Sequence, residues 1–149
     1  MAFEFSHLME SASVILYHKQ STSAMTRFFK LDDGSVVLGN PLEKLGRVVT
    51  GEVEADSNVV SHPGAIMAEL EDWLGLAPGD LAVEPDFLEW VEVPAKVKRI
   101  YLARFKTIDP PFVEAETVGA SFVTLTQTRG MNPVELELLR SAYSIIMEG

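Results

Sequence analysis

The side chains best suited to proton transfer near neutral pH are three histidines, His7, His18 and His62. They lie far apart, no pair has the i, i+4 spacing of a helical zinc site, and the chain has no cysteine to complete one. His62 stands out because it directly precedes Pro63 at the start of an expected helix, where loops place ligands and the helix end favours anions. The same position suits an ordinary capping or surface histidine. A carboxylate would have to complete an acid–base pair with it, and Asp109 and Glu52 are the candidates.

Other carboxylates are abundant without forming a constellation. Glu52 and Glu54 share a strand face and could present oxygens to a hard cation. Neither they nor Glu84, Asp86, Glu89 and Glu92 around Trp90 supply the alternating ligands and glycine bend of a calcium loop. They read as solvated acids, so no metal is expected. Tyr101 and Arg104, near Asp109, are candidates to line a small ligand pocket at a strand end. No Gly-x-Ser-x-Gly elbow, Gly-x-x-x-x-Gly-Lys loop or Gly-x-Gly-x-x-Gly turn is present, and no cofactor is expected.

The elements that must position these residues follow from pattern and punctuation. Arg27–Gly39 reads as a hairpin, with apolar runs on either side of Asp32-Asp33-Gly34. A strand follows at 46–55, and further strands lie near 87–93 and 97–107, separated by Pro94 and Ala95. Ser13–Lys19 is compatible with a strand or with the end of a helix begun near Ser6; a short N-terminal element running into a strand is favoured. Helices are expected near 63–75, 111–128 and 132–147. The first opens on Pro63 and closes on Gly75. Its Ile66, Met67, Leu70, Trp73 and Leu74 fall within an arc of about 120°, with Glu69, Glu71 and Asp72 outside it. On that reading Leu70 is buried and Glu71 is a surface residue.

In the second helix Asp109 is the candidate cap. Its later part competes with a strand, because Val118, Phe122 and Leu125 keep helical spacing whereas Phe122–Thr128 is rich in strand formers; the helix is preferred. The third is marked by Asn132 as cap, Pro133 in first position and Glu135 completing a capping-box-like start. Its apolar residues span an arc of about 220°, roughly twice what packing on one sheet consumes. Either residues 111–128 cover the surplus or a second copy of the chain does, so a homodimer through this helix is expected.

Composition bounds the function. The 149 residues suit one α+β domain, 1–149, with a mainly antiparallel sheet of four to five strands and three helices on one face or end. The net charge is −10, with twelve acids against two bases in residues 41–92. That balance argues against nucleic acid, which needs clustered bases to displace counterions. The local knot Lys96, Lys98, Arg99, Arg104 and Lys106 reads as a solvated strand face. Leu125–Leu139 has the outline of a DNA-binding helix-turn-helix, but Glu135, Glu137 and leucines stand where bases and base-readers belong. No basic start precedes an apolar run, and no stretch reaches the ~18 apolar residues of a spanning helix. A cytoplasmic protein without membrane contact is expected. Two functions remain: a non-enzymatic ligand- or protein-binding domain that self-associates, or a small cofactor-independent enzyme using a histidine–carboxylate pair.

Overall fold

The structure is a computed structural model that describes residues 12–39, 47–50, 63–93 and 96–148. Seven strands are found: β1 (Ala12–Lys19), β2 (Thr26–Lys30), β3 (Arg47–Thr50), β4 (Leu81–Val83), β5 (Glu89–Val93), β6 (Lys96–Phe105) and β7 (Ser121–Val123). The helices are α1 (Pro63–Leu74), α2 (Phe112–Thr117) and α3 (Pro133–Glu148), with a 3-10 turn at Leu125–Thr128. The strands form one sheet in the order β3-β5-β6-β1-β2-β7, with β4 also paired to β6. Every described pairing is antiparallel except β1 with β6, which run parallel at the centre from Ala12↔Arg99 to Tyr17↔Arg104. The mixed α and β content is as expected, but the sheet is larger than the four to five strands expected.

Helices cover both faces, a correction to the one-sided arrangement. Val14, Leu16, Phe29, Ala103 and Phe105 pack with Ile66, Met67 and Leu70 of α1 and Ala115 of α2. Their strand neighbours Ile15, Tyr17, Phe28, Ile100 and Leu102 pack with Val134, Leu138, Leu139, Ala142 and Ile146 of α3 on the other side. This explains β1: a central strand covered on both faces is apolar at nearly every position rather than at alternate ones. Ala12 through Tyr17 are all buried. The strand favoured at Ser13–Lys19 is observed as β1, and the continuous run that also admitted a helix is the signature of that position.

The Asp-Gly turn forms, but it does not make a hairpin. Leu31 N donates to Ser35 O, Asp33 Oδ1 accepts from Ser35 N, and Gly34 has φ +94°. Beyond the turn the chain pairs with β1 instead of β2, through a Val14↔Leu38 bridge with reciprocal backbone bonds of 3.0 and 2.8 Å. The turn is thus an excursion within one line of chain beside β1. Of the strand expected at 46–55, β3 accounts for Arg47–Thr50 and pairs with β5; its later part lies outside the described residues.

The span 111–128 is not one helix. Pro111 is the N-cap of α2 without a side-chain bond, so Asp109 does not cap it, and the helix ends at Thr117. Ser121–Val123 then pair with β2, placing Phe122 opposite Phe29. There it meets Phe29, Phe105 and Phe112 edge to face, at 5.5–5.7 Å between ring centroids. Aromatic contact across the sheet outweighs the weak helical period.

The ends of α1 and α3 obey local chemistry. Leu76 N donates to Glu71 O and Gly75 N to Asp72 O, with Gly75 at φ +72°, the paired closure that a glycine after a helix permits. Asn132 Oδ1 accepts from Val134 N at 2.9 Å. One assignment on α1 is overturned: Glu71 is buried, and its Oε2 accepts from Gly79 N (2.8 Å) and Leu81 N (3.0 Å). The Ala77–Asp80 turn folds back over the outer side of the helix, and the carboxylate satisfies its amides.

Candidate functional site

The segment connecting the 3-10 turn to α3 faces the excursion between β2 and Gly39, and together they enclose a cleft of about 470 Å³. That is within the range of small-molecule sites. One wall is Lys30, Leu31, Asp33, Gly34, Ser35, Val37 and Gly39; the other includes Gln127, Arg129, Met131 and Asn132, with Glu135 between them. Each wall is braced locally. Gln127 Oε1 accepts from Thr124 N at 2.8 Å and holds the 3-10 turn closed. Gly39 sits at φ +127°, and a Cβ there would lie 2.7 Å from Ser13 Oγ, so only glycine lets the chain pass β1 at that height.

Glu135 ties the two walls together. It is buried, and its Oε1 accepts from Val36 N (2.9 Å) and lies 2.8 Å from Ser35 Oγ. The serine hydroxyl in turn accepts from Val37 N at 3.1 Å. A carboxylate in the first turn of a helix is favoured by the backbone dipole, and here it also pairs donors of a distant loop. Glu135 was legible only as half of a capping box. The same residue type at the third helical position serves either purpose, and the loop it reaches is 100 residues away.

Of the residues singled out from sequence, Asp109, Tyr101 and Arg104 are described, and they are not brought together. Glu52 and His62 lie outside the described residues. Asp109 is exposed, and its Oδ1 accepts from Gln20 Nε2 at 3.2 Å. Tyr101 and Arg104 stand on opposite faces of β6: Tyr101 packs in the core beneath α1, whereas Arg104 is exposed beside Tyr17 on the α3 side. His18 is fully buried, with Nε2 2.8 Å from Thr107 O and no partner at Nδ1. Among the described residues no group of three or more histidines and carboxylates could hold a metal ion. None of the described helices is long and apolar enough to cross a membrane.

The basic knot on β6 is divided rather than solvated. Arg104 and Lys106 are exposed, but Lys98 and Arg99 are buried. The Arg99 guanidinium lies 4.8 Å from the Tyr101 ring centroid and 5.5 Å from that of Trp90, and donates to the carbonyls of Phe87, Glu89 and Ile100. It straps the chain leading into β5, and burial lowers its pKa below the ordinary arginine value.

Tyr17 donates to Glu84 Oε1 at 2.5 Å. Burial, then the bond to that carboxylate and its charge, push the phenol well above its usual range; burial also raises Tyr101. Both raised values belong to the folded state, which therefore holds its phenol protons after the unfolded chain has lost them. Stability is expected to be insensitive to these groups below about pH 10, the unfolded tyrosine value, and to fall above it. Denaturant titrations between roughly pH 9 and 11 check this. Tyr17→Phe should flatten the alkaline decline, and an unchanged decline would remove Tyr17 from the explanation.

No family model matches this sequence, and no curated protein matches it significantly.

Proposed function

We propose that this chain is a non-enzymatic binding domain whose small-molecule ligand occupies the cleft between the 30–39 and 127–135 segments. The observation that carries the reading is the cleft itself: about 470 Å³ of space, apolar at Leu31, Val37 and Met131 and polar at Lys30, Gln127 and Arg129. An apolar body with a few placed polar groups is what a small ligand needs. The one carboxylate–hydroxyl pair there, Glu135 with Ser35, already serves to join the walls. His18 stands on the opposite face of the sheet, with Val14 and Leu16.

A thermal-shift screen against a mixed metabolite library tests this. A ligand present at a hundred times its Kd stabilises the folded state by about 2.7 kcal/mol, an easily read change in Tm. Failure of every compound class to move the Tm would count against the proposal.

Self-association through α3 is its second part. Val134, Leu138, Leu139, Ala142 and Ile146 are buried, and Tyr143 and Ile145 pack at the border of the same cluster. Of the 111–128 segment α2 lies across the sheet, while Val123 and Leu125 pack in this cluster; Met147, at the other end of α3, is 44% exposed. Met147→Asp is therefore the informative variant, since Ile145→Asp would disturb the core. Sedimentation should give a species near twice 16.4 kDa that the Met147 variant shifts toward monomer. A concentration-independent 16.4-kDa species would exclude the dimer.

A further inference from the structure

We propose that the ligand of this cleft carries an anionic group, held by Arg129 with Lys30 and Arg140 on either side. The proposal rests on the reading of the cleft as a ligand site and adds the charge of what fills it. Arg129 is the shared wall of two cavities. It lines the large cleft, and with Leu125, Leu136 and Arg140 it lines a second cavity of about 220 Å³. The two spaces adjoin at Arg129 as one groove beside the 3-10 turn and the start of α3, lined by Lys30 in the larger part and by Arg140 in the smaller.

The charges in this groove are unevenly committed. Its carboxylates face donors of the protein: Asp33 Oδ1 takes Ser35 N, and buried Glu135 takes Val36 N and the Ser35 hydroxyl. Arg129 and Arg140 are exposed, and neither they nor Lys30 forms an ion pair with a described residue. An ion pair between Arg47 and Glu92 lies at the other edge of the sheet. Lys30, Arg129 and Arg140 against Asp33 and Glu135 leave this lining at net +1 in a chain of net charge −10, with the three bases unpaired among the described residues. A guanidinium offers a planar fork of donors that matches a carboxylate or a phosphate, and a lysine adds a point charge beside it. The apolar lining at Leu31, Val37 and Met131 leaves room for a hydrocarbon or aromatic body.

The test titrates the full chain with benzoate, inorganic phosphate and the neutral analogue benzamide at constant ionic strength, following the amide signals of Gly130, Met131 and Leu136. Saturable shifts with benzoate or phosphate are expected, and whichever binds identifies the anionic group as carboxylate or phosphate. Arg129→Gln should weaken binding about tenfold, the equivalent of one lost charge-assisted pair. Arg140→Gln should weaken it less, and Arg104→Gln, an exposed base on β6, should leave it unchanged. Linear, unsaturated shifts to tens of millimolar with both anions would overturn the proposal, as would an equal loss in the Arg104 variant. Benzamide binding in the cleft as tightly as benzoate would reject the anionic preference while leaving the cleft as a ligand site. Should Arg129→Gln fail to fold, weaker binding by Arg140→Gln than by Arg104→Gln supports the proposal, and equal binding by the two overturns it.

Discussion

Leu70→Ala and Glu71→Ala are both expected to destabilise the protein, by ~2–5 and ~2–3 kcal/mol, whereas Asp72→Ala should change stability by less than ~0.5 kcal/mol. The three residues are consecutive on α1, and their helix propensities differ by at most about 0.5 kcal/mol, too little to set this order. Leu70 is 1% exposed within the cluster formed with Val14, Leu16 and Phe29, and its truncation removes apolar contact and leaves a cavity. Glu71→Ala removes the acceptor of two backbone amides, one of them on buried Leu81. A buried amide donor left without a partner costs more than the bond contributes when made. Asp72 is exposed on the same turn of helix. Glu71→Gln, which keeps an oxygen acceptor, should recover part of the loss. Urea denaturation of the four variants checks the order. Equal stability of Glu71→Ala and Asp72→Ala would mean that the Ala77–Asp80 turn does not close over α1.

The second large effect is expected at Glu135. Glu135→Ala should cost about 2–3 kcal/mol, since it strands the buried amide of Val36, while the Ser35 hydroxyl keeps Val37 O as an acceptor at 3.0 Å. The loss should also be local in character. With the tie removed, the turn at Asp32–Ser35 is held at its neck by Leu31 N to Ser35 O, and hydrogen exchange at Val36 should accelerate more than exchange in β1. Glu135→Gln is the control that preserves shape and an acceptor. An alanine variant with the wild-type Tm and unchanged exchange at Val36 would show that the cleft walls stand without this carboxylate.

Glu71 and Glu135 mark where sequence reasoning ends in this chain. Gly75 after α1 and Asn132 before α3 are legible because they act on amides and carbonyls a few positions away. The phase of α1 is legible too, down to Ile66, Met67, Leu70 and Leu74 as its buried side. Periodicity assigns Glu71 an angle, however, and not the loop that returns to cover that angle. β1 and β7 were obscured for opposite reasons. β1 is apolar at nearly every position because helices lie on both faces, and β7 is three residues long with its strand character resting on pairing with β2. The Asp-Gly turn was recognisable, but its continuation beside β1 depends on the Val14–Leu38 pairing across the sheet. The cleft needed all of this at once, because Ser35 and Glu135 are 100 residues apart and meet only in the folded chain.

The central claim is that the space bounded by Glu135, the 30–39 segment and the 127–131 segment holds the ligand of this protein. Amide chemical-shift mapping with the compound that most raises the Tm in the library screen tests it most directly. The expected result is a contiguous set of perturbed signals at Gly34, Ser35, Gly130 and Met131, with Ile108 and Asp109, beside Gln20 at the opposite end of β2 from Lys30, unaffected. Perturbations confined to residues outside the two walls of the cleft would contradict it.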